Sequence, residues 1–428
     1  MWPAVRKRLL APLMLMMAGS AFGASEHAAP IRIGMIESMS VPFTYTGVSA
    51  ARNLEFALAL VNARGGVKLP DGMHKLALSI FDDKQNVSES LAQFKQLTNQ
   101  RIPFMVQGNS SAVALALVNA VNRHNEYVPE NRVLFLNYSA IDPALTNEKC
   151  NYWYFRFDAH ADMRMHALTE VIRDDIQVKR IYLISQDHSL GRQVAKAARK
   201  QLAVKRKGID IVGDEFYPSG KITNFAPYIE KIRASGADAV ITGSSGSDLA
   251  LLVKGAENAG LNLKFYTFFA NGLGVPAALG TAGIGRVRTV AEWHPNVGGS
   301  IANRSSDLFY AAFRKRYPEP GEDYIHLRMH VMIEMLVAAI EKAGTVEAAA
   351  VAKALENANF QNGFHHATMR AADHQLIQPL YVSVMQRSGT DGVRFGNEGS
   401  DFGFKTERYI AESATALPST CRMARPAK

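Results

Sequence analysis

Several residue groups in this chain have types that could do chemistry. Asp187, His188 and Ser189 are an acid, a base and a hydroxyl nucleophile, the three parts of a hydrolase triad. Adjacent residues cannot aim at one another in those roles, and no Gly-x-Ser-x-Gly elbow accompanies them. His326, His330 and Glu334 fall four apart, so a helix would put them on one face as metal ligands. Their surroundings are rich in Met, Ile and Leu, which makes a polar stripe on a packing helix the simpler reading, and no metal site is expected. Gly280, Gly283 and Gly285 lack the Gly-x-Gly-x-x-Gly spacing and the strand-turn-helix setting of a dinucleotide loop, so no cofactor is expected. What remains is binding chemistry. Asn109, Ser110 and Ser111 stand before an Ala/Leu/Val run, and such residues cap helices. The helix end behind them carries free N–H groups and the positive end of the dipole, a place for a carboxylate.

That turn belongs to a unit written twice: an apolar strand, a hydroxyl-rich turn and a helix. Val106–Val121 reads VQGNSSAVALALVNAV, and Val133–Thr146 reads VLFLNYSAIDPALT. The alternation extends both ways. Ile31–Ile36 is a buried strand, followed by a loop with Ser38, Ser40, Tyr45, Thr46 and Gly47 and a helix that stops at Gly65-Gly66. His74–Phe81 and a helix over Val87–Gln100 complete a parallel α/β lobe by about Arg156. A second round follows, with strands at 180–185, 209–216, 238–242 and 264–269 separated by helical stretches. Beyond Trp293 come helices over 300–317, 323–343 and 346–357, a strand at 380–386, and a tail from about Lys405 with weak periodicity.

At 428 residues the chain exceeds the size of one core, so two domains are expected. Arg6, Lys7 and Arg8, the apolar run Leu9–Phe22 and the small residues around Ala21-Phe22-Gly23 read as a cleaved secretory signal over 1–24. No later segment is apolar for long enough to span a bilayer. The mature chain is therefore expected in the periplasm. Formal net charge is +9, or +6 without the signal, and it is scattered apart from a cluster at Lys200, Lys205, Arg206 and Lys207. No zinc finger or aromatic-flanked basic motif accompanies it, so no nucleic-acid partner is expected. The two cysteines, Cys150 and Cys421, have no metal-ligand spacing, and in an oxidising compartment they suggest one disulfide holding the tail to the first lobe.

The ordered set IRIGMIESMS, LALSIFDDKQNVSESLAQFKQL, FMVQGNSSAVALAL, VLFLNYSAIDPALT, RIYLISQDHSLGRQVAKAA and GADAVITGSSGSDLALLVKGAENAGL resembles the leucine/isoleucine/valine-binding type of periplasmic solute-binding protein, which serves ABC importers. The resemblance covers about Ile31 to Gln386 and implies two Rossmann-like doubly wound lobes joined by a three-strand hinge, the type I periplasmic binding protein fold. It places lobe 1 at 31–156 plus 294–373, lobe 2 at 157–293 plus 374–404, and a tail at 405–428. Ligand contacts would then fall in lobe 1 on Tyr45, Asn109, Ser110, Ser111, Ser139, Ala140 and Ile141. In lobe 2 they would fall on Ser189, Leu190, Ser244, Ser245 and Asn271, with Trp293 at the return crossing.

Leu190 stands where the family has an aromatic, and Asn271 where it has a carboxylate for the ligand's ammonium. Both departures, with Ile141 at a hydroxyl position, point to a more apolar ligand. The expected function is a monomeric, non-enzymatic receptor that takes a branched-chain or other hydrophobic amino acid, or a related small carboxylate, to a membrane permease. A ligand sensor of the same fold and an exported enzyme are the rivals.

Overall fold

The computed structural model describes Met1 and residues 28–40, 44–299 and 303–426; the expected signal over 1–24 otherwise lies outside the described residues. The chain first builds β1 (Ala28–Glu37), α1 (Thr44–Ala63), β2 (Val67–Leu69), β3 (Gly72–Asp82), α2 (Val87–Asn99), β4 (Phe104–Gln107), α3 (Ser111–Tyr127), β5 (Leu134–Asn137) and β6 (Tyr154–Arg156). It then builds α4 (Ala161–Asp174), β7 (Arg180–Gln186), α5 (Ser189–Lys205), β8 (Asp210–Tyr217), α6 (Ala226–Ser235), β9 (Ala239–Thr242), α7 (Gly246–Asn258), β10 (Lys264–Thr267), α8 (Val275–Leu279) and β11 (Val287–Ala291). The return adds α9 (Arg304–Arg316), α10 (Leu327–Ala343), α11 (Ala348–Leu355), β12 (Asn359–Gln361), β13 (His366–Arg370) and β14 (Gln375–Ile377). Last come β15 (Leu380–Arg387), β16 (Phe402–Ile410) and α12 (Glu412–Thr415).

The strands form two sheets, ordered β12-β13-β14-β6-β5-β4-β1-β3-β2 and β16-β15-β11-β10-β9-β7-β8. The inner pairs β1–β3, β1–β4, β4–β5 and β5–β6 run parallel, as do β7–β9, β9–β10 and β10–β11. Helices cover both faces, so the middles of the inner strands are apolar on both sides: Ile33, Met35, Phe104, Val106, Leu134 and Leu136 are all inaccessible. One apolar cluster fills the first lobe, and two lie within the second. Both sheets present strand carboxyl ends to the gap between the lobes, where ligands bind in such folds.

Three differences from expectation have local causes. The second hydroxyl turn leads into a 3-10 helix, Pro143–Thr146, not a full helix. Its carbonyls at Ala140 and Asp142 are claimed by the buried Arg156 guanidinium. The third crossing comes after Ile377 rather than at Asp373, because β14 pairs with β13 and with Arg156 of β6. The segment from Lys405 is not a loose tail. Residues Phe402–Ile410 pair antiparallel with β15, burying Phe404 and Ile410 while charged side chains alternate outward.

Beyond β16 the chain passes back to the first lobe, a fourth crossing. There Ser419 donates to the Thr146 carbonyl, Thr420 N donates to Asn147 Oδ1, and Cys421 is disulfide-bonded to Cys150. The expected bridge is thus formed, and it fastens a strap across the hinge.

Candidate functional site

In the first lobe the site is built on the start of α3. Ser110 is its N-cap, with Oγ accepting from Val113 N, and the Ser110 carbonyl accepts from Ala114 N. The N–H groups of Ser111 and Ala112 have no partner among the described residues, as expected for a first helical turn. Ser111 Oγ accepts from Asp142 N, tying this turn to the next, and both hydroxyls keep a proton to donate.

The other backbone donors expected here are engaged. Gly108 N and Asn109 N donate to Glu37 Oε1 at 2.7 and 3.0 Å, and Ser139 N and Ala140 N donate to Asn137 Oδ1 at 2.9 Å each. Ala140 and Ile141 are buried, and Ile141 packs with the second lobe's core. Two side-chain donors are left over: Asn109 Nδ2 and Asn137 Nδ2 are buried and lack a partner. They lie beside the α3 start, where an anion would satisfy them; a buried donor left unpaired otherwise costs about 1–3 kcal/mol.

Across the gap, Ser189 is exposed and Leu190 half-buried in the first turn of α5. His188 caps that helix through Nδ1 from Gly191 N, and Asp187 pairs with Arg192, so the three residue types of a hydrolase triad are spent separately. Ser244 is inaccessible, its Oγ receiving bonds from Tyr217 and Thr242, whereas Ser245 is half-buried with its hydroxyl 3.4 Å from Gln186 Oε1. Of that pair Ser245 is the one with a side chain free to turn outward. Asn271 is half-buried, its Oδ1 accepting from Thr289.

Asn271 and Trp293 line one small interlobe cavity with His294, Pro295, Asp323, Tyr324, Ile325 and Asn397. Trp293 is buried, donating to Ser306 Oγ and stacking edge-to-face on Phe309, so its main contact is with α9. Tyr45 stands in the first turn of α1, not in a loop, and its hydroxyl would lie 3.0 Å from a Cβ on Gly274, which marks close approach of the lobes. Burial pushes its phenol well above the ordinary value.

Sequence reasoning missed four groups. Glu37 ends an apolar strand and is buried, its carboxyl pushed up to about 7 chiefly by desolvation. Glu398, on the β15–β16 hairpin, accepts from Gly274 N and Ala277 N, while its own N–H donates to Asp323 Oδ2 in the first lobe; burial raises its carboxyl to about 7. Asp158 and Glu292, on the first and second crossings, are paired with Arg164 of α4 and Arg328 of α10. Arg164 reaches Asp158 at 2.6 Å, and Arg328 reaches both Glu292 oxygens at 2.9 Å. His326, His330 and Glu334, weighed and set aside as metal ligands, have separate partners: His326 precedes α10 and contacts Arg328, while Glu334 is held by Arg64 with His330 3.9 Å away. Among the described residues no cluster of metal ligands occurs.

Two doubly wound lobes, several chain crossings and a cleft at the strand carboxyl ends define a two-lobed solute receptor. The chain belongs to the periplasmic binding protein family, whose pattern matches residues 30–391. It is 29% identical over 421 residues to the Leu/Ile/Val-binding protein homolog 4 of Brucella melitensis, covering 96% of each chain. It is also similar to the closed conformation of the leucine-, isoleucine-, valine-, threonine- and alanine-binding protein of Brucella ovis, with TM-score 0.84, 27% identity and coverage of 93% of this chain and 100% of that one. A Rhodopseudomonas palustris solute-binding protein in complex with 4-hydroxybenzoate shares the fold at TM-score 0.72 and 17% identity, over 90% of this chain and 97% of that one.

Proposed function

We propose that the chain is the periplasmic receptor of an ABC importer, closing on one small hydrophobic amino acid or a related small carboxylate and presenting the closed form to a permease. The observation that carries this is the α3 start: two free helix N–H groups, two serine hydroxyls and two unpartnered amide donors, Asn109 Nδ2 and Asn137 Nδ2, around one turn. That set suits a carboxylate and has no nucleophile–base pair beside it. The amino acids for which the Brucella relatives are named, leucine, isoleucine and valine among them, agree with this chemistry. Half-buried Leu190, packed against the second lobe's core at the start of α5, would add apolar surface for the ligand's side chain.

Thermal-shift screening of the mature protein against the twenty amino acids, their deaminated analogues and hydroxybenzoates tests the reading. A rise in melting temperature with members of one class is the expected result; no rise with any class would contradict it.

A further inference from the structure

A zwitterionic ligand brings an ammonium next to its carboxylate, and a buried ammonium needs an anion nearby. Most described carboxylates around the cleft have donors, and the rival to be separated is Asp323, which lines the interlobe cavity with Asn271 and takes the Tyr310 hydroxyl and Glu398 N on Oδ2. In the second lobe Asp248 holds Gln186 and Gly220 N, and Asp187 holds Arg192. Glu398 spends its two oxygens on Gly274 N and Ala277 N. At the end of β3, Asp82 takes Ser40, Met39 N and Lys84 N, and Asp83 takes Ser38, Gln85 N and Ser90. Asn271 is neutral.

Glu37 differs. It is 1% exposed, and all three of its donors, Gly108 N, Asn109 N and the Tyr138 hydroxyl at 2.6 Å, converge on Oε1. No donor among the described residues reaches Oε2. Two of those donors belong to the residues immediately before Ser110, so the carboxylate of Glu37 adjoins the turn proposed to hold the ligand's carboxylate. Two anions side by side are unfavourable unless a cation is shared between them.

The geometry points to Glu37 as the residue that selects α-amino acids over their deaminated analogues, its Oε2 taking the ligand's ammonium from the first lobe. This rests on the reading of the α3 start as the carboxylate site. The titratable groups facing Glu37 are Tyr138 after β5 and Asp83 after β3, with His326 and Arg328 behind the Tyr138 ring. In the free protein desolvation keeps Glu37 partly protonated near neutrality. An ammonium at Oε2 favours the ionised form, so binding an amino acid at pH 7 releases a proton fraction.

Calorimetry tests this with L-leucine and 4-methylpentanoate, or with whichever amino acid thermal shift ranks first and its deaminated analogue. Wild type and Glu37→Gln are titrated at pH 7 in two buffers of different ionisation enthalpy. Glutamine keeps an acceptor for the two N–H groups and loses the charge. The expected result is proton release by wild type with the amino acid only, and an amino-acid affinity reduced at least roughly tenfold in Glu37→Gln with the analogue's affinity kept or raised. The wild-type proton count stands even if the variant fails to fold. Equal proton release with both ligands overturns the inference. So does unchanged selectivity in a folded Glu37→Gln protein, or selectivity lost in Asp323→Asn instead. A wild type that binds carboxylates and no amino acid overturns the inference while the receptor reading stands; binding of no solute overturns that reading itself.

Discussion

Replacing both bridged cysteines, Cys150→Ser with Cys421→Ser, removes the covalent end of the strap and leaves no unpaired thiol. The bridge closes a sequence separation of 271 residues. For a loop that long the chain-entropy relation gives about 5 to 6 kcal/mol of destabilisation of the unfolded state by the bridge. An unfolding entropy of about 2 cal/mol/K per residue, summed over a chain of this size, converts that into a fall in melting temperature of about 6 °C. The remaining tail contacts do not offset the loss, because they exist in both proteins: Arg370 donating to the Leu417 carbonyl, Arg425 pairing with Glu356, and Ser419 on Thr146. Scanning calorimetry of the oxidised wild type and the double variant measures the difference. Mass spectrometry without reductant first establishes that the wild type has no alkylatable thiol. A double variant melting within 1 °C of wild type would refute the reasoning, since the bridge would then contribute nothing through the unfolded chain.

Ser110→Ala removes a hydroxyl from the α3 start and should weaken ligand binding by roughly 1 to 3 kcal/mol, read by calorimetry; unchanged affinity would move the carboxylate elsewhere. Glu292→Ala strips Arg328 of its bidentate partner and leaves a buried guanidinium short of charge, which should cost about 3 to 5 kcal/mol of stability in urea titration. Glu37 and Glu398 both have folded values near 7, above their ordinary 4.5. At each of these two carboxyls the folded protein binds more protons than the unfolded chain, so their contribution to stability falls as pH rises from about 4.5 to 7, opposite in sign to that of the buried His160, His294, His326 and His365, which burial holds below their ordinary value. Melting curves of wild type and Glu37→Gln across that window isolate the Glu37 contribution: the variant should gain stability relative to wild type as pH rises, and an identical pH dependence in the two would exclude Glu37 as a source.

The strand–helix alternation was legible because the buried parallel strands are short apolar runs, with polar residues mainly at their ends, and their helices are capped by Asn86, Ser110 and the left-handed Gly236 and Gly344. β16 was not, because an edge strand that buries Phe404 and Ile410 between Lys405, Glu407 and Arg408 has the composition of a loop. The α3 turn announced itself through two adjacent serines. Its counterpart after β5 read as a second helix start, yet Arg156, which stands beside Asn137 on the neighbouring strand β6, captures its carbonyls. Glu37, Asp158, Glu292 and Glu398 were invisible for a related reason. Each is a single charged residue whose meaning comes from its partner: Gly108 lies 71 positions from Glu37 and Gly274 lies 124 from Glu398, while Arg164 and Arg328 lie 6 and 36 from Asp158 and Glu292. Ser244 shows the converse: a hydroxyl in the right turn that faces inward to Tyr217.

The central claim is that two lobes close on one small solute held at the start of α3. Small-angle scattering of the mature protein, paired with calorimetric titration of the best ligand from the thermal-shift screen, measures it directly. The expected result is one ligand per chain and a smaller radius of gyration on saturation, with both changes lost together in the Ser110→Ala, Ser111→Ala double variant. Saturable binding with no compaction, or binding that survives in that variant at full affinity, would contradict the account.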